Sequence, residues 1–249
     1  MPFWLVAASC VFVYMSIFPF IQLANTALVD QFGFNKETAG ILYSVPYFMS
    51  MVLSPLLGFT IDKVGKRALF ITISSVLVAI SCFFDAALPT YTSPNYICLG
   101  PLILVGFGYS IYASALWSSI PYIVQPRTIG SAFGLVTSLQ ACGLCVSPLV
   151  SGVLQAKYKN TFAPVYLFLG ALATIGFFFN IWLYFDDIRN RNGVLNNVPV
   201  MTTEAMVTSP TPQRKSFVPN ENQAEDELGL VETVDVVEMT AEQRRALKR

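Results

Sequence analysis

Apolar and polar positions divide the chain into long hydrophobic runs with short polar connections, followed by a polar C-terminal segment. A helix needs about 20 apolar residues to cross a hydrocarbon core about 30 Å thick. Six windows meet this requirement, at 3–25, 39–61, 68–88, 97–124, 128–155 and 162–185. The pattern predicts an all-α membrane protein with a six-helix transmembrane bundle over 1–186 and a separate segment over 187–249.

The charged residues follow the same division. Only 11 of the 30 Asp, Glu, Lys and Arg residues lie in 1–185, and all of these except Asp85 fall between the windows. A charge at mid-membrane costs about 2.5 to 3.5 kcal/mol on insertion scales, so this placement suits membrane-spanning helices. The charged fraction of 12% is about half of the roughly 25% typical of soluble domains, which argues against core helices of a soluble protein. No basic region precedes the first window, so it does not resemble a cleaved signal peptide.

Composition also limits the chemistry of the chain. Histidine is absent, which removes the commonest general base and the commonest metal ligand. Cys142 and Cys145 have the spacing of a zinc pair, but they lie in an apolar window without a second pair. The formal net charge is zero and no basic patch is present, so no nucleic-acid partner is expected. We predict no metal, no cofactor and no enzymatic activity.

The segment 187–249 has a different composition from the rest of the chain. It contains prolines at 199, 210, 212 and 219 and an acidic run at 225–227. Low hydrophobicity and frequent charges predict a disordered cytoplasmic tail. Ser209, Thr211 and Ser216 have neighbours typical of kinase sites. Phosphorylation of the tail is one interpretation of these matches, and accidental similarity is the other.

Basic residues in the connections predict the orientation of the bundle. Cytoplasmic connections of membrane proteins carry an excess of Lys and Arg. One side of the predicted bundle has Lys63, Lys66, Arg67, Arg127, Arg189 and Arg191, and the other side has Lys36, Lys157 and Lys159. Both termini are therefore predicted to lie in the cytoplasm.

The second window ends in the sequence GFTIDKVGKR at 58–67. Gly58 permits close helix contact, and Asp62 can accept hydrogen bonds from backbone N–H groups or from a basic side chain. Gly65 permits the positive φ of a tight turn, and the basic residues beside it hold the loop at the cytoplasmic face. Such a loop can join two helices in one state and release them in another. The candidate gating residues are Gly58, Asp62, Lys63, Gly65, Lys66 and Arg67, with an ordinary cytoplasmic loop as the alternative.

This spacing resembles the motif that major facilitator superfamily transporters carry between the second and third helices of a six-helix half. Three further stretches, FPF at 18–20, GYSIYASALW at 108–117 and GSAFGLVTSLQACGL at 130–144, are similar to the carboxy-terminal half of lysosomal dipeptide uniporters in that superfamily. Lys63 stands where arginine is commoner, and QPR at 125–127 stands where an acidic residue would follow proline. The resemblance implies one half of a twelve-span transporter that works by alternating access.

The resemblance also implies which helices bind substrate. In such a half the first and fourth helices line the central cavity, the second and fifth flank it, and the third and sixth face lipid. Tyr109, Ala113 and Trp117 fall on one face of the fourth window, and the first window contributes Tyr14 and Gln22. We predict that these five residues bind substrate, with aromatic anchoring at the membrane interface as the alternative for the fourth window. Small residues at 130, 134, 143, 147 and 151 predict a helix-packing face on the fifth window.

The same resemblance implies partners and location. The expected partners are the lipid bilayer, a small-molecule substrate such as a dipeptide, a first six-helix half and a glycosylated single-pass accessory membrane protein, and the expected location is the lysosomal membrane. A zwitterionic dipeptide needs a cation and an anion, and no window has a central charge, so those groups would come from the first half. The lack of a proton relay favours uniport. The alternatives are a non-transporting truncated subunit or scaffold, and a transporter for another small organic solute.

Overall fold

The computed structural model describes residues 2–91, 93–158, 161–190 and 193–196, and within them it contains seven α-helices. They are α1 (Pro2–Asp30), α2 (Lys36–Tyr43), α3 (Val45–Val64), α4 (Arg67–Ala87), α5 (Leu99–Ile123), α6 (Ile129–Lys157) and α7 (Ala163–Asn190). Short 3₁₀ helices precede α5 and α6, at Tyr96–Cys98 and Pro126–Thr128. The predicted kinase sites and most of the predicted tail lie outside the described residues.

Six stretches of helix are long and apolar enough to cross a membrane, and α2 and α3 together form the second of them. The described residues contain no β-strand. The predicted fold class, an all-α membrane protein with six apolar helices, is confirmed. Helices form here because a hydrocarbon environment leaves every backbone N–H and C=O to be paired within the chain, and a helix pairs them within one segment.

The second span is broken at Ser44, whereas the sequence predicted one continuous helix over 39–61. Pro46 explains the break, because proline lacks the N–H that would continue the α2 hydrogen bonds and fits the first turn of a new helix. The Ser44 hydroxyl donates to the carbonyl of Gly40 at 3.0 Å. A Cβ placed on Gly106 would lie 2.9 Å from the Cα of Pro46, so α5 approaches the start of α3 more closely than alanine would allow.

Helix α1 lies at the centre of the bundle. It packs against α5, α6 and α7, while α4 packs against α5 and α7, and α3 packs against α5. In the first span, 67% of the most apolar window is buried within the chain. The corresponding buried share is only 6% in the second span and 17% in the fifth. Helices α3 and α6 therefore leave most of their surface uncovered by the rest of the described chain.

A proline in α1 is accommodated by a hydroxyl group from α6. Pro19 has no N–H, so the carbonyl of Met15 one turn earlier loses its helical donor. The hydroxyl of Ser147 donates to that carbonyl at 2.5 Å. Gly143 permits this close approach of the two helices, since a Cβ placed there would lie 2.8 Å from the Met15 Cγ. Side chains of neighbouring helices often pair the carbonyls that prolines leave free in membrane proteins.

We expect Ser147→Ala to lower the free energy of unfolding by about 1 kcal/mol, because it leaves the Met15 carbonyl unpaired inside the bundle. The measurement is unfolding of the purified chain in mixed detergent micelles. Ser138→Ala is the matched control, since Ser138 is exposed on the same helix and donates to the carbonyl of Gly134 in its own turn. Equal effects of the two substitutions would contradict this role for Ser147.

The exposed sides of α4 and α7 consist of large apolar side chains, which suit contact with lipid tails. They include Ile73, Ile80, Phe83, Phe84, Leu167, Ile175, Phe178, Trp182 and Phe185. Asp85, the charged residue in the last turn of the third predicted window, is instead buried within the bundle. These two helices therefore differ from α6, whose exposed side includes many small residues. The exposed side of α3 carries large apolar side chains as well, among them Phe48, Met51 and Phe59.

Candidate functional site

Aromatic side chains from α1, α5 and α6 meet in one group, which we call the aromatic cluster. Three of its members, Tyr14, Tyr109 and Trp117, belong to the predicted substrate-binding set. Its full membership is Tyr14, Phe18, Tyr109, Tyr112, Trp117 and Phe133. The cluster joins the first and fourth spans, which the family resemblance assigns to the central cavity.

A hydrogen bond links the two spans at the centre of the cluster. The indole N–H of Trp117 donates to the hydroxyl oxygen of Tyr14 at 3.0 Å. Tyr14 is 3% exposed and Trp117 is half-buried, so the indole N–H points into the bundle towards α1. Because its oxygen accepts this bond, the Tyr14 hydroxyl keeps its own hydrogen to donate to another acceptor.

Ring contacts surround this hydrogen bond. The Tyr14 ring lies 5.6 Å from Phe18, and it meets Tyr109 and Tyr112 edge-on at centroid distances of 6.3 and 5.5 Å. Trp117 stacks on Phe133 of α6, with 5.9 Å between the centroids and 11° between the planes. Aromatic pairs at such distances contribute about 0.5 to 1.5 kcal/mol beyond their area burial, so the rings help to fix the three helices relative to one another.

The other two predicted binding residues lie beside the cluster on the same helices. Ala113 is half-buried on α5, one turn from both Tyr109 and Trp117. Gln22 is exposed on α1, two turns beyond Tyr14 and one turn beyond Phe18. The structure thus brings three of the five predicted residues together and places Ala113 and Gln22 next to them along the chain.

Three members of the cluster, Phe18, Tyr112 and Phe133, were absent from the substrate-binding set predicted from the sequence. Phe18 lies four residues after Tyr14, so helical spacing could have found it. Tyr112 and Phe133 gave no comparable signal, because the rotation of each helix about its axis decides which side chains meet.

A second group of functional candidates lies where α3 meets α4, in the predicted gating motif. Arg67 is 1% exposed, and its Nη2 donates to Asp62 Oδ1 at 2.7 Å and to the Tyr122 hydroxyl at 3.3 Å. The guanidinium carbon lies 4.2 Å from the centroid of the Tyr122 ring, within cation–π range. The sequence predicted Arg67 as an anchor at the membrane surface, whereas its side chain is buried and joins α4 to α3 and α5.

Gly65 forms the turn between α3 and α4. Its φ of 81° lies in the region that favours glycine, and its N–H donates to the carbonyl of Ile61 at 2.9 Å, which ends α3. Lys63 and Lys66 are exposed on either side of the turn. Gly58 is half-buried, but nothing in the described chain lies within 4 Å of a Cβ placed there, so the close contact predicted for it is not made within this chain.

A short turn at 193–196 caps the start of α4. The backbone N–H groups of Lys66 and Arg67 donate to the carbonyls of Asn196 and Leu195, at 3.3 and 2.9 Å. Asp187 holds this turn in place, because its carboxylate accepts from the Leu195 N–H at 3.1 and 3.2 Å and from the Asn196 side-chain amide at 3.3 Å. The first N–H groups of a helix lack partners within it, so the turn satisfies two of them. The sequence predicted a disordered tail from residue 187 onward, whereas Asp187 binds the turn at 193–196, which contacts the start of α4.

The aromatic cluster and the predicted gating motif both lie within a stretch that matches a known family. Residues 3–221 match the family described as Major Facilitator Superfamily. The chain belongs to the major facilitator superfamily. With its six apolar spans, this superfamily member is a multi-pass integral membrane protein.

Relatives of this major facilitator chain include proteins named as transporters. The lysosomal dipeptide transporter MFSD1 of Homo sapiens is 29% identical over 199 residues, which cover 79% of this chain and 40% of that protein. Its counterpart in Danio rerio is 31% identical over 191 residues, covering 77% and 40%. Monocarboxylate transporter 1 of Bos taurus is 27% identical over 183 residues, covering 68% and 36%. The chain therefore spans 40% or less of the length of these three relatives.

Proposed function

We propose that the chain is the carboxy-terminal six-helix half of a major facilitator transporter that moves dipeptides across the lysosomal membrane by alternating access, as a uniporter. The aromatic cluster carries the proposal, because it joins the two spans that line the cavity in such a half. The relatives named lysosomal dipeptide transporter supply the substrate class and the membrane.

The chemistry of the cluster suits the uncharged parts of a peptide. Its ring faces can pack against apolar side chains, and the hydroxyl of the half-buried Tyr109 can donate to a peptide carbonyl. The cluster contains no carboxylate, ammonium or guanidinium group. The terminal amine and carboxylate of a dipeptide would therefore be bound by the first half, since unpaired charges are costly in a site with a low dielectric constant.

The positions of the carboxylates support uniport. Every carboxylate of the described helices lies near a helix end, namely Asp30, Glu37, Asp62, Asp85, Asp186 and Asp187. Transporters that couple to protons place ionisable groups across the middle of the membrane. The described spans of this half offer no such series of groups.

The uncovered glycines support a partner bundle. Small residues let membrane helices approach closely. Nothing in the described chain lies within 4 Å of a Cβ placed on five glycines of the second and fifth spans, namely Gly40, Gly58, Gly130, Gly134 and Gly152. Buried glycines such as Gly143 and Gly176 do meet a neighbouring helix. The uncovered face of α6, which is rich in small residues, fits a helix of a first half, in contrast to the large apolar faces of α4 and α7.

The proposal includes an orientation and an accessory partner. The excess of basic residues in the second and fourth connections and after α7 supports an orientation with both termini in the cytoplasm. The chain contains no Asn-x-Ser/Thr acceptor for N-glycans. A glycosylated single-pass accessory membrane protein would then protect the lumenal side from lysosomal proteases.

Uptake of a labelled dipeptide by proteoliposomes that contain this chain and a matching first half tests the proposal. We expect Trp117→Ala to raise the KM for uptake about tenfold, because it removes a ring face and the hydrogen bond that holds Tyr14. Trp182→Ala is the matched control, since Trp182 is exposed on α7, away from the cluster, and should leave the KM unchanged.

The alternatives predict different results in the same assay. An unchanged KM in Trp117→Ala at normal expression would assign Trp117 to structure instead of substrate binding. Uptake of lactate without uptake of dipeptides would favour a transporter for another small organic solute, as the monocarboxylate transporter relatives suggest. No uptake of either compound by the pair would favour a non-transporting subunit or scaffold.

A further inference from the structure

Three polar side chains from three helices form a chain of hydrogen bonds behind the aromatic cluster. Ser9 of α1, Tyr112 of α5 and Asn180 of α7 are each 0% exposed. The Ser9 hydroxyl lies 2.7 Å from the Tyr112 hydroxyl and donates to Asn180 Oδ1. Asn180 is on the sixth span, which the family resemblance assigns to the lipid-facing side and not to the substrate path.

The direction of each hydrogen bond follows from the donor inventory. A serine hydroxyl has one hydrogen. Because Ser9 donates that hydrogen to Asn180, its oxygen must accept from the Tyr112 hydroxyl. Asn180 therefore fixes the orientation of the Tyr112 hydroxyl through Ser9. Without an acceptor on α7, Ser9 would be free to donate to Tyr112 or to its own helix.

Close contact between α1 and α7 makes this chain of bonds possible. A Cβ on Gly176 would lie 2.5 Å from the Val13 Cγ2, so no larger residue fits there without movement. Gly176 lies one turn before Asn180, and Val13 lies one turn after Ser9. The two helices therefore hold Asn180 opposite Ser9.

The hydrogen-bond chain leads directly to the substrate candidates. The Tyr112 ring meets the Tyr14 ring edge-on, at 5.5 Å and 75°. The Tyr14 hydroxyl in turn accepts from the Trp117 indole. A displaced Tyr112 ring would thus move the acceptor that orients Trp117.

Asn180 has a feature that a purely stabilising residue would not need. Its Nδ2 is buried without a hydrogen-bond partner among the described residues. A buried amide donor without a partner is unfavourable, and an apolar residue of similar size would avoid that penalty. A half-satisfied asparagine at this position is better explained by the geometry it imposes than by stability.

We propose that Asn180 is a positioning residue for the substrate site, acting through Ser9 and Tyr112 to set the positions of Tyr14 and Trp117. The effect on transport rests on the proposed function, whereas the effect on the geometry of Trp117 does not.

Tryptophan fluorescence tests the geometric part in the purified chain. The chain has three tryptophans, and Trp4 and Trp182 are exposed, so Trp4→Phe with Trp182→Phe leaves Trp117 as the reporter. In this background we expect Asn180→Leu to shift the emission maximum and to raise the constant for quenching by acrylamide. Asn180→Asp keeps an oxygen acceptor for Ser9 and should preserve the spectrum. Ser9→Ala removes the intermediate hydroxyl with little steric change and should reproduce the effect of Asn180→Leu.

The matched control is Thr174→Val on the same helix. The Thr174 hydroxyl donates to the carbonyl of Gly170 in its own turn, so this variant removes a polar group without touching the chain of bonds. If Asn180→Leu and Ser9→Ala leave the Trp117 spectrum as Thr174→Val does, the proposal is wrong, whatever the transport data show.

Dipeptide uptake by proteoliposomes that contain this chain and a matching first half gives a second measurement. We expect Asn180→Leu to raise the KM for dipeptide uptake about fivefold with little change in maximal rate, and Asn180→Asp to restore the KM. A spectral change in Asn180→Leu together with an unchanged KM would support the positioning role and would contradict the proposed use of the cluster as the substrate site. The two ideas can therefore fail separately.

Discussion

The 249-residue chain, reconstituted alone, will take up no labelled dipeptide above the rate of protein-free vesicles, and co-expression with a matching first half will restore uptake. Alternating access requires two bundles that move around a site between them. The chain contains an uncharged aromatic cluster, which the proposed function assigns to one side of such a site, and it leaves α3 and α6 uncovered. The measurement is the initial rate of uptake at equal protein density.

A substitution on the uncovered face separates folding from association. Gly134→Leu should leave the stability of the isolated chain unchanged, because nothing in the described chain lies near that position. It should prevent the recovery of uptake by the first half, because leucine keeps a second helix from approaching closely. Ala171→Leu is the matched control on the exposed side of α7, and it should leave recovery intact. Dipeptide uptake by the isolated chain would refute the assignment as a half.

The sequence predicted the spans well because the apolar runs reflect a local requirement. Each run must satisfy its backbone within a helix and keep charges near the ends, and both conditions can be read from neighbouring residues. The break at Ser44 shows where this approach failed. A proline inside an apolar run permits either a kink or the start of a new helix. Here a new helix starts, and α5 packs closely against it at Gly106.

The candidate site was harder to predict because it depends on contacts between distant helices. Tyr109 and Trp117 share a face of one helix, so spacing was sufficient to group them. Their contact with Tyr14 spans 95 and 103 residues of sequence and depends on how two helices are rotated. Asp187 is a second example, because the sequence predicted it in a polar tail, whereas it is buried and contacts the turn that caps α4. Composition shows which environment a segment prefers, but not which partner it meets.

The gating motif allows the second prediction with a large effect. Asp62→Ala will lower the free energy of unfolding by about 3 kcal/mol or more, because it leaves the buried Arg67 guanidinium without its carboxylate. Arg67 is 1% exposed, and its Nε and Nη1 are already buried without hydrogen-bond partners among the described residues. Arg67→Leu will cost less, about 2 kcal/mol, because the Asp62 side chain is 65% exposed and water can solvate its charge.

The double substitution distinguishes a coupled pair from two independent residues. Asp62→Ala combined with Arg67→Leu should be more stable than Asp62→Ala alone, because the second change removes the stranded charge. Thermal and denaturant unfolding in detergent measure all three variants, and Arg127→Ala, an exposed cation before α6, should change little. If the two single effects simply add, Asp62 and Arg67 are not coupled, and their contact cannot hold α3 to α4 as a releasable latch. If they are coupled, the Asp62–Arg67 contact stabilises the joined arrangement of α3 and α4, as the predicted gating role requires.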